Sequence, residues 1–193
     1  TPEYFIKWTS FLLKNWNSST VKSIREKYNL PSKFKPDFSK LHFIQIDEFY
    51  PLSPNQHNSF YNYVNNYYLN SFGITKERAL LINTEKIPLA NNMHWTEVFS
   101  NGKVDLSLRH RAANSEAEKY QQESVHLIDQ WCNVYEKKIE ELGGIGFFLG
   151  GIGPDGHIAF NVRGSDHNST TRLTQTNFET QAAAAVDLGG IEI

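Results

Sequence analysis

The feature that most constrains the fold is a short apolar run that directly follows a long helical pattern. The helical pattern covers residues 115–142, with Ser115 as its predicted N-cap and two glycines at its end. The apolar run, IGFFLGG, covers residues 145–151 and is typical of a strand covered on both faces. Helices that alternate with such strands predict an α/β fold with an open, mostly parallel, Rossmann-like sheet and helices on both faces.

The same alternation recurs elsewhere in the chain. Residues 41–47, LHFIQID, predict a strand that ends at Asp47, and residues 78–85, RALLINTE, predict a second strand. Helical spacing predicts helices near residues 3–16 and 58–72. The apolar stripe of the long helix is predicted to comprise Tyr120, Leu127, Trp131, Val134 or Tyr135, Ile139 and Leu142, with Cys132 as a small core residue.

Length and composition exclude several classes of protein. The 193 residues suit a single domain over 1–193, although both ends of the sequence look truncated. A net charge of −2 provides no positive electrostatic potential that would attract nucleic acid or an anionic membrane. The single cysteine, Cys132, excludes an internal disulfide and fits a cytoplasmic location. No segment approaches the roughly 18 apolar residues of a membrane span.

The chemistry is concentrated in residues 150–161, GGIGPDGHIAFN. Its glycines formally match the dinucleotide fingerprint G-x-G-x-x-G, at Gly151, Gly153 and Gly156. That fingerprint needs a helix that opens at the third glycine, whereas Asn161 and Gly164 follow too soon for a full helix. A nucleotide site is therefore disfavoured.

Two other interpretations of this motif stay open, beside that of a plain glycine-rich turn. A metal site built on Asp155 and His157 would need a further ligand, and the nearest candidates are Asp166 and His167. An acid/base site needs only a carboxylate that orients the imidazole. Asp47 ends another predicted strand, so two strand ends that face one cleft would give an acid/base site without a cofactor.

The motif GGIGPDGHIAFN, taken together with QIDEFYPLSPNQHNSF at residues 45–60, resembles the glucosamine-6-phosphate deaminase (isomerase) and 6-phosphogluconolactonase family. The residues that follow His157, Ile158 to Asn161, resemble the deaminase branch. The resemblance implies an open parallel α/β fold and a cytoplasmic enzyme of amino sugar metabolism and N-acetylglucosamine catabolism. Its reaction would convert glucosamine 6-phosphate to fructose 6-phosphate and ammonia, with neither metal nor cofactor.

The resemblance also implies roles for individual residues. His157, oriented by Asp155, would open the sugar ring, and Asp47 would carry a proton between C2 and C1. Thr1 matches the last polar residue of the family's phosphate loop. The implied substrate-binding residues are Thr1, Glu48, Gly151 and Asn161. Ser165 and Arg172 match an activator phosphate site whose lysine is replaced by Thr174, and a solvated charge is an equal alternative for Arg172.

One departure from the family leaves alternatives open. The family's glutamate after Asn161 is Val162 here, which cannot accept a hydrogen bond. Either Asp166 or Glu48 replaces it in space, or ring opening is weakened, or the substrate differs. Two other functions therefore stand beside the deaminase: a 6-phosphogluconolactonase-like hydrolase and a non-catalytic sensor of sugar phosphates.

The expected partner is a small phosphorylated amino sugar, with neither nucleic acid nor membrane. Residues 92–113 look longer than the usual connection in the family. A lid, a contact in a homo-oligomer and simple packing on the domain are the alternatives for this segment. Exposed side chains at Trp95 and Phe99 would favour the contact.

Overall fold

The computed structural model describes residues 3–30 and 34–188, which form two compact units. The first unit comprises Thr1–Gln45 and Tyr63–Leu81, and the second comprises Ile46–Asn62 and Ile82–Ile193. A single domain over residues 1–193 stays a prediction.

The first unit contains a small parallel sheet. Strand β1 is Phe43–Ile44 and strand β2 is Ala79–Leu80, with Phe43 opposite Ala79 and Ile44 opposite Leu80. The N–H of Gln45 donates to the carbonyl of Leu80 at 3.0 Å and continues the ladder by one residue. Both predicted strands of this region are therefore present, although β1 ends at Ile44, before Asp47. The open parallel pair beside helices confirms the α/β class.

The helices of the first unit pack their apolar side chains beside this pair of strands. The core consists of Val64, Leu69 and Ile74, against which Phe43, Tyr68, Phe72, Ala79 and Leu81 pack. Ser18 caps the second helix, since its hydroxyl accepts the N–H of Val21 at 3.2 Å. The helical segments here are α1 (Glu3–Lys14), α2 (Ser19–Lys27), a π-helical segment (Val64–Leu69), α4 (Asn70–Phe72) and the 3₁₀ segments Phe38–Lys40 and Lys76–Arg78. Helix α3 (Phe60–Tyr63) begins in the second unit, which contains residues 60–62, and ends at Tyr63 of the first.

The second unit is built on one long helix. Its helical segments are α5 (Trp95–Val98), α6 (Glu116–Glu141), α7 (Phe178–Leu188) and the 3₁₀ segments Thr84–Lys86, Ala90–Asn92 and Leu106–Arg109. As predicted, the hydroxyl of Ser115 caps α6, and Gly143 and Gly144 end it with φ of +89° and +83°. None of the described helices combines the length and the apolar character that crossing a membrane requires.

The buried face of α6 is rotated relative to the predicted stripe. Tyr120 and Leu142 are exposed, so their assignment to the core was wrong; of the alternatives Val134 and Tyr135, Val134 is exposed and Tyr135 is buried. The rotation follows from the residues that cover the helix: Ile87, Leu89, Val98 and Phe99 pack against Ile128 and Cys132. Cys132 is a core residue as predicted, and burial raises the pKa of its thiol to about 11.

The segment before α6 packs onto this helix. The side-chain amide of Gln122 donates to the carbonyls of Leu108 and Arg111, at 2.7 and 2.8 Å. The hydroxyl of Ser124 accepts the N–H of Ala90 at 3.0 Å. Phe99 is only 1% exposed, so the expectation of an exposed phenylalanine was wrong. Packing on the rest of the unit is therefore what the structure shows for this segment.

The predicted strand at residues 145–151 is not formed. This run is irregular, and Phe147 within it and Ile152 directly after it are 77% and 76% exposed. A strand needs a partner for its backbone N–H and C=O groups. The two described strands, β1 and β2, pair with each other, and no strand among the described residues pairs with this run. Its apolar character predicted burial that the described part of the chain does not provide.

The contacts of Gln122 generate a stability prediction. Replacing Gln122 by alanine is expected to lower the free energy of unfolding by about 1 to 2 kcal/mol, because two partly buried carbonyls lose their donor. Gln130 lies on the same helix, is exposed and bonds to His126. Gln130→Ala is therefore the control, with an expected change within about 0.5 kcal/mol. Urea denaturation measures both, and equal losses would contradict an anchoring role for Gln122.

Candidate active site

The D-G-H motif forms a tight turn that fixes the direction of the histidine. The N–H of Gly156 donates to the carbonyl of Gly153 at 2.9 Å, and the N–H of Gly153 donates to the carbonyl of His157 at 2.9 Å. Gly156 has a φ of +87°, which favours glycine. The imidazole of His157 folds back over Gly153, where a Cβ would overlap with the ring. This position of the His157 ring therefore requires a residue without a Cβ at position 153.

Asp155 and His157 form a hydrogen-bonded pair. Oδ1 of Asp155 contacts Nδ1 of His157, and the two side chains are 14% and 10% exposed. The bond to His157 is the main cause that lowers the pKa of Asp155, so this carboxyl stays ionised. Because a carboxylate only accepts hydrogen bonds, Nδ1 carries a proton, and in the neutral imidazole the lone pair is then on Nε2. The pair therefore presents a base at Nε2.

Two residues that the sequence analysis missed complete this pair. Nδ2 of Asn177 donates to Oδ2 of Asp155 at 2.5 Å, and Oγ1 of Thr180 lies 3.3 Å from Nδ1 of His157. Thr180 lies in the first turn of α7 and Asn177 directly precedes that helix, and Oδ1 of Asn177 accepts the N–H of Thr180 at 3.0 Å. An asparagine before an alanine-rich run does predict an N-cap. The sequence carries no sign of its contact with Asp155.

Asp47 lies near this pair within the second unit. Burial is the main cause that raises the pKa of its carboxyl to about 6, and the negative charge of Glu48 adds to the rise. His157 is close enough to oppose the rise. Asp47 is therefore a carboxyl with a raised pKa in the electrostatic range of an imidazole, which suits proton transfer.

Glu48 has a different surrounding from its neighbour. Its carboxylate accepts four hydrogen bonds: Oε1 from the N–H groups of Phe49 and Phe60, and Oε2 from the N–H of Tyr61 and the hydroxyl of Ser59, the last two at 2.7 and 2.9 Å. These bonds oppose the rise in the pKa of Glu48 that its burial causes. They hold the loop of Asp47 to the start of α3. A direct role of Glu48 in substrate binding stays a prediction.

Aromatic packing joins the Asp47 loop to the D-G-H turn. The ring of Phe160 lies 4.6 Å from that of Phe49 and 6.0 Å from that of Phe60, between centroids. The imidazole of His157 lies 6.1 Å from the same ring. Such pairs add about 1 kcal/mol each beyond the burial of their area. Phe160 therefore helps to hold the two acidic segments together.

Three of the predicted binding residues meet in one cluster. Nη2 of Arg172 donates to Oδ1 of Asn161 at 3.0 Å and to Oγ of Ser165 at 3.1 Å. Nη1 of Arg172 donates to the carbonyl of Thr170 at 3.3 Å. Arg172 is half-buried and hydrogen-bonded, and both alternatives for it, a phosphate ligand and a solvated charge, stay predictions. Its partners in these bonds are neutral oxygens.

The remaining predicted residues are less informative. Gly151 is exposed and has open space where a Cβ would stand, so its position does not require glycine. Thr1 lies outside the described residues. Oδ1 of Asp166, one of the candidates to replace the family's glutamate, accepts the N–H of Asn168 at 2.7 Å. Within the described ranges, no group of three or more His, Cys, Asp or Glu side chains has the arrangement of a metal site.

The chain matches segments of several curated proteins. It is 47% identical over 74 residues to the glucosamine-6-phosphate deaminase of Caenorhabditis elegans, which covers 35% of this chain and 28% of that protein. It is 40% identical over 95 residues to glucosamine-6-phosphate deaminase 2 of Homo sapiens, which covers 47% and 30%. The chain resembles the glucosamine-6-phosphate deaminases. This confirms the resemblance that the motifs indicated, although no family model matches the chain.

A solved structure shows the same fold. It is that of a monomeric glucosamine-6-phosphate deaminase of the NagB superfamily, with a TM-score of 0.54 and 21% identity over 90% of this chain and 53% of that one. The likeness supports the α/β fold. The matched segments span less than a third of the length of the two curated deaminases, so the activity of the whole protein remains a proposal.

The raised pKa of Asp47 predicts a pH-dependent stability. A carboxyl with a higher pKa in the folded protein than in the unfolded chain disfavours folding once it ionises, so stability falls as the pH rises toward and through about 6. Asp47→Asn is expected to raise the free energy of unfolding by about 2 to 3 kcal/mol near pH ~8, and by about half as much near pH ~5. Urea denaturation at both pH values measures this. Asp166→Asn, at an exposed aspartate, is the control, and a gain that is independent of pH would contradict the prediction.

The contact between Gly153 and His157 gives a second prediction. Gly153→Ala is expected to displace the imidazole into solvent, because the new Cβ occupies the place of the ring. Modification of His157 by diethyl pyrocarbonate, followed by mass spectrometry, should then be several-fold faster than in the wild type. Gly146 has open space at its Cβ position, so Gly146→Ala is the matched control. Equal rates in both variants would mean that Gly153 does not position the ring.

Proposed function

We propose that this chain carries the acid/base site of an aldose-ketose isomerase and deaminase, which converts glucosamine 6-phosphate and water to fructose 6-phosphate and ammonia. One observation supports this most directly. The Asp155–His157 pair and Asp47, whose pKa is raised to about 6, lie in electrostatic range within one unit. The names of the similar proteins supply the substrate class.

In the proposed first step, His157 opens the sugar ring. Nε2 takes the proton of the C1 hydroxyl and delivers a proton to the ring oxygen as the C1–O5 bond breaks. Asp155 keeps the Nδ1 proton in place and stabilises the imidazolium that forms in between. The product of this step is the open-chain aldehyde with its amino group on C2.

In the proposed second step, Asp47 moves a proton from C2 to C1. Its carboxylate removes the C2 proton, which is acidified by the neighbouring aldehyde, and an enolamine-like intermediate forms. Return of the proton to C1, with one amino proton passing to the C1 oxygen, gives an imine at C2, which water hydrolyses to the ketone and ammonia. A carboxylate whose pKa is about 6 is a stronger base than an ordinary aspartate and is still mostly ionised near neutral pH.

The Asn161–Ser165–Arg172 cluster is the proposed anion-binding part. Arg172 combines a guanidinium with neutral oxygen partners, so its charge is available to a phosphate. Whether that phosphate belongs to the substrate or to an activator is left to experiment. We propose that the protein is located in the cytoplasm, and the free, buried thiol of Cys132 fits that reducing compartment. A homo-oligomer stays a prediction.

The test is release of ammonia and fructose 6-phosphate from glucosamine 6-phosphate by the purified chain. Asp47→Asn is expected to lower kcat by at least about 100-fold, because it removes the base of the isomerisation step. Glu140→Gln, at an exposed glutamate of α6, should leave turnover unchanged. The urea curves of Asp47→Asn separate loss of chemistry from loss of folding, since this variant is expected to be more stable than the wild type near neutral pH.

Other outcomes would favour the other two functions. Binding of the sugar phosphate without turnover, measured by calorimetry, would contradict the deaminase and favour a sensor. Hydrolysis of 6-phosphogluconolactone that survives in Asp47→Asn would favour the lactonase-like hydrolase, which needs only the Asp155–His157 pair. If the chain shows neither binding nor turnover of these sugar phosphates, all three proposed functions are contradicted.

A further inference from the structure

The start of α7 contacts the proposed catalytic pair, through Asn177 directly before the helix and Thr180 in its first turn. Asn177 contacts the carboxylate of Asp155, and Thr180 contacts the imidazole of His157. We propose that Asn177 and Thr180 are positioning residues, which hold the Asp155–His157 pair in the tautomer that leaves Nε2 of His157 unprotonated. The kinetic part of this proposal rests on the proposed function, whereas its structural part does not.

The orientation of the Asn177 side chain is fixed by two bonds of opposite kind. Its Oδ1 accepts the backbone N–H of Thr180 at 3.0 Å, and its Nδ2 donates to Oδ2 of Asp155 at 2.5 Å. Exchanging the two atoms would place an N–H against an N–H and an oxygen against a carboxylate oxygen, so only this orientation is favourable. A single side chain therefore caps α7 and anchors Asp155.

The anchor restrains both oxygens of the Asp155 carboxylate. Oδ1 accepts from His157 and Oδ2 accepts from Asn177, so rotation of the carboxylate would break at least one of the two bonds. The Asn177 bond is also one of the causes that lower the pKa of Asp155. Asn177 therefore keeps the carboxylate both ionised and aimed at Nδ1.

Thr180 acts on the imidazole itself. It is only 4% exposed, and its Oγ1 lies 3.3 Å from the same Nδ1 that contacts Asp155. The hydroxyl oxygen gives the Nδ1 proton a second, weaker acceptor, which forms a three-centre hydrogen bond. The Asp155 carboxylate can only accept, so it holds the proton on Nδ1, and the Thr180 hydroxyl then serves as a second acceptor for that same proton.

The experiment removes each contact with little change in shape. Serine is as good an N-cap as asparagine but is too short to reach Asp155, so Asn177→Ser keeps the cap and deletes the anchor. Thr180→Val keeps the shape and deletes the hydroxyl, and Thr180→Ser restores the hydroxyl. The readouts are the ¹⁵N chemical shifts of the His157 imidazole, which report the tautomer, and the kcat and KM for glucosamine 6-phosphate.

We expect the Nδ1–H fraction of His157 to fall in Asn177→Ser and in Thr180→Val, and to stay near that of the wild type in Thr180→Ser. We expect kcat to fall about 10-fold in the first two variants, with KM changed less than about twofold, since a bond to a charged or reacting group is lost. A residue that only stabilises the fold would change neither the tautomer nor the split between kcat and KM.

Asn83 provides the matched control for the cap. Its Oδ1 accepts the N–H of Glu85 at 3.1 Å at the start of another helical segment, so Asn83→Ser should leave the His157 tautomer unchanged. An unchanged tautomer in both Asn177→Ser and Thr180→Val would overturn the proposal. If Asn177→Ser does not fold, Thr180→Val decides it. A wild type without turnover would contradict the proposed function, while the ¹⁵N shifts would still decide the positioning role.

Discussion

The site depends on the close approach of the His157 imidazole to the backbone of Gly153. Because no Cβ stands at position 153, the chain can reverse direction within the turn and bring the ring back over its own backbone. The reversal places Nδ1 against the carboxylate of Asp155, which is only two residues away. A side chain at position 153 would push the His157 imidazole away from this turn. Nδ1 of His157 would then lose its contacts with both Asp155 and Thr180.

Burial and hydrogen bonding shift the pKa values of Asp47 and Asp155 in opposite directions. The pKa of Asp155 is lowered by donors from His157 and Asn177, whereas that of Asp47 is raised by burial and by the charge of Glu48. One carboxyl therefore stays a permanent acceptor, and the other can take and return a proton near neutral pH. Two residues of one type have different chemistry because their surroundings differ.

Local patterns in the sequence predicted those parts of the structure that depend on local interactions. The hydroxyl of Ser115 and the backbone bonds of the glycine pair set the bounds of α6, and the D-G-H turn forms within five residues. The contact of Asn177 with Asp155 joins residues 22 positions apart, and periodicity carries no information about such a pair. The rotation of α6 likewise depends on which segment covers it.

The apolar run at residues 145–151 shows a second limit of sequence patterns. Apolar character indicates that burial of this run would be favourable, by about 25 cal/mol for each Å² removed from water. It does not indicate which segment of the chain would cover the run. In the described part of the chain the two strands pair with each other, so this run is left without a strand partner. The pattern was read correctly as apolar, and the error lay in assuming a partner strand.

The burial that raises the pKa of Asp47 also opposes folding. Each unit by which the pKa of a carboxyl rises in the folded state costs about 1.4 kcal/mol of stability once that carboxyl is ionised. The four donors around Glu48 and the packing of Phe160 on Phe49 hold the Asp47 loop in place despite this cost. If Asp47 had only a structural role, asparagine would serve better there at neutral pH. Under the proposed function, this cost to stability is the consequence of holding a carboxyl with a raised pKa in the electrostatic range of His157.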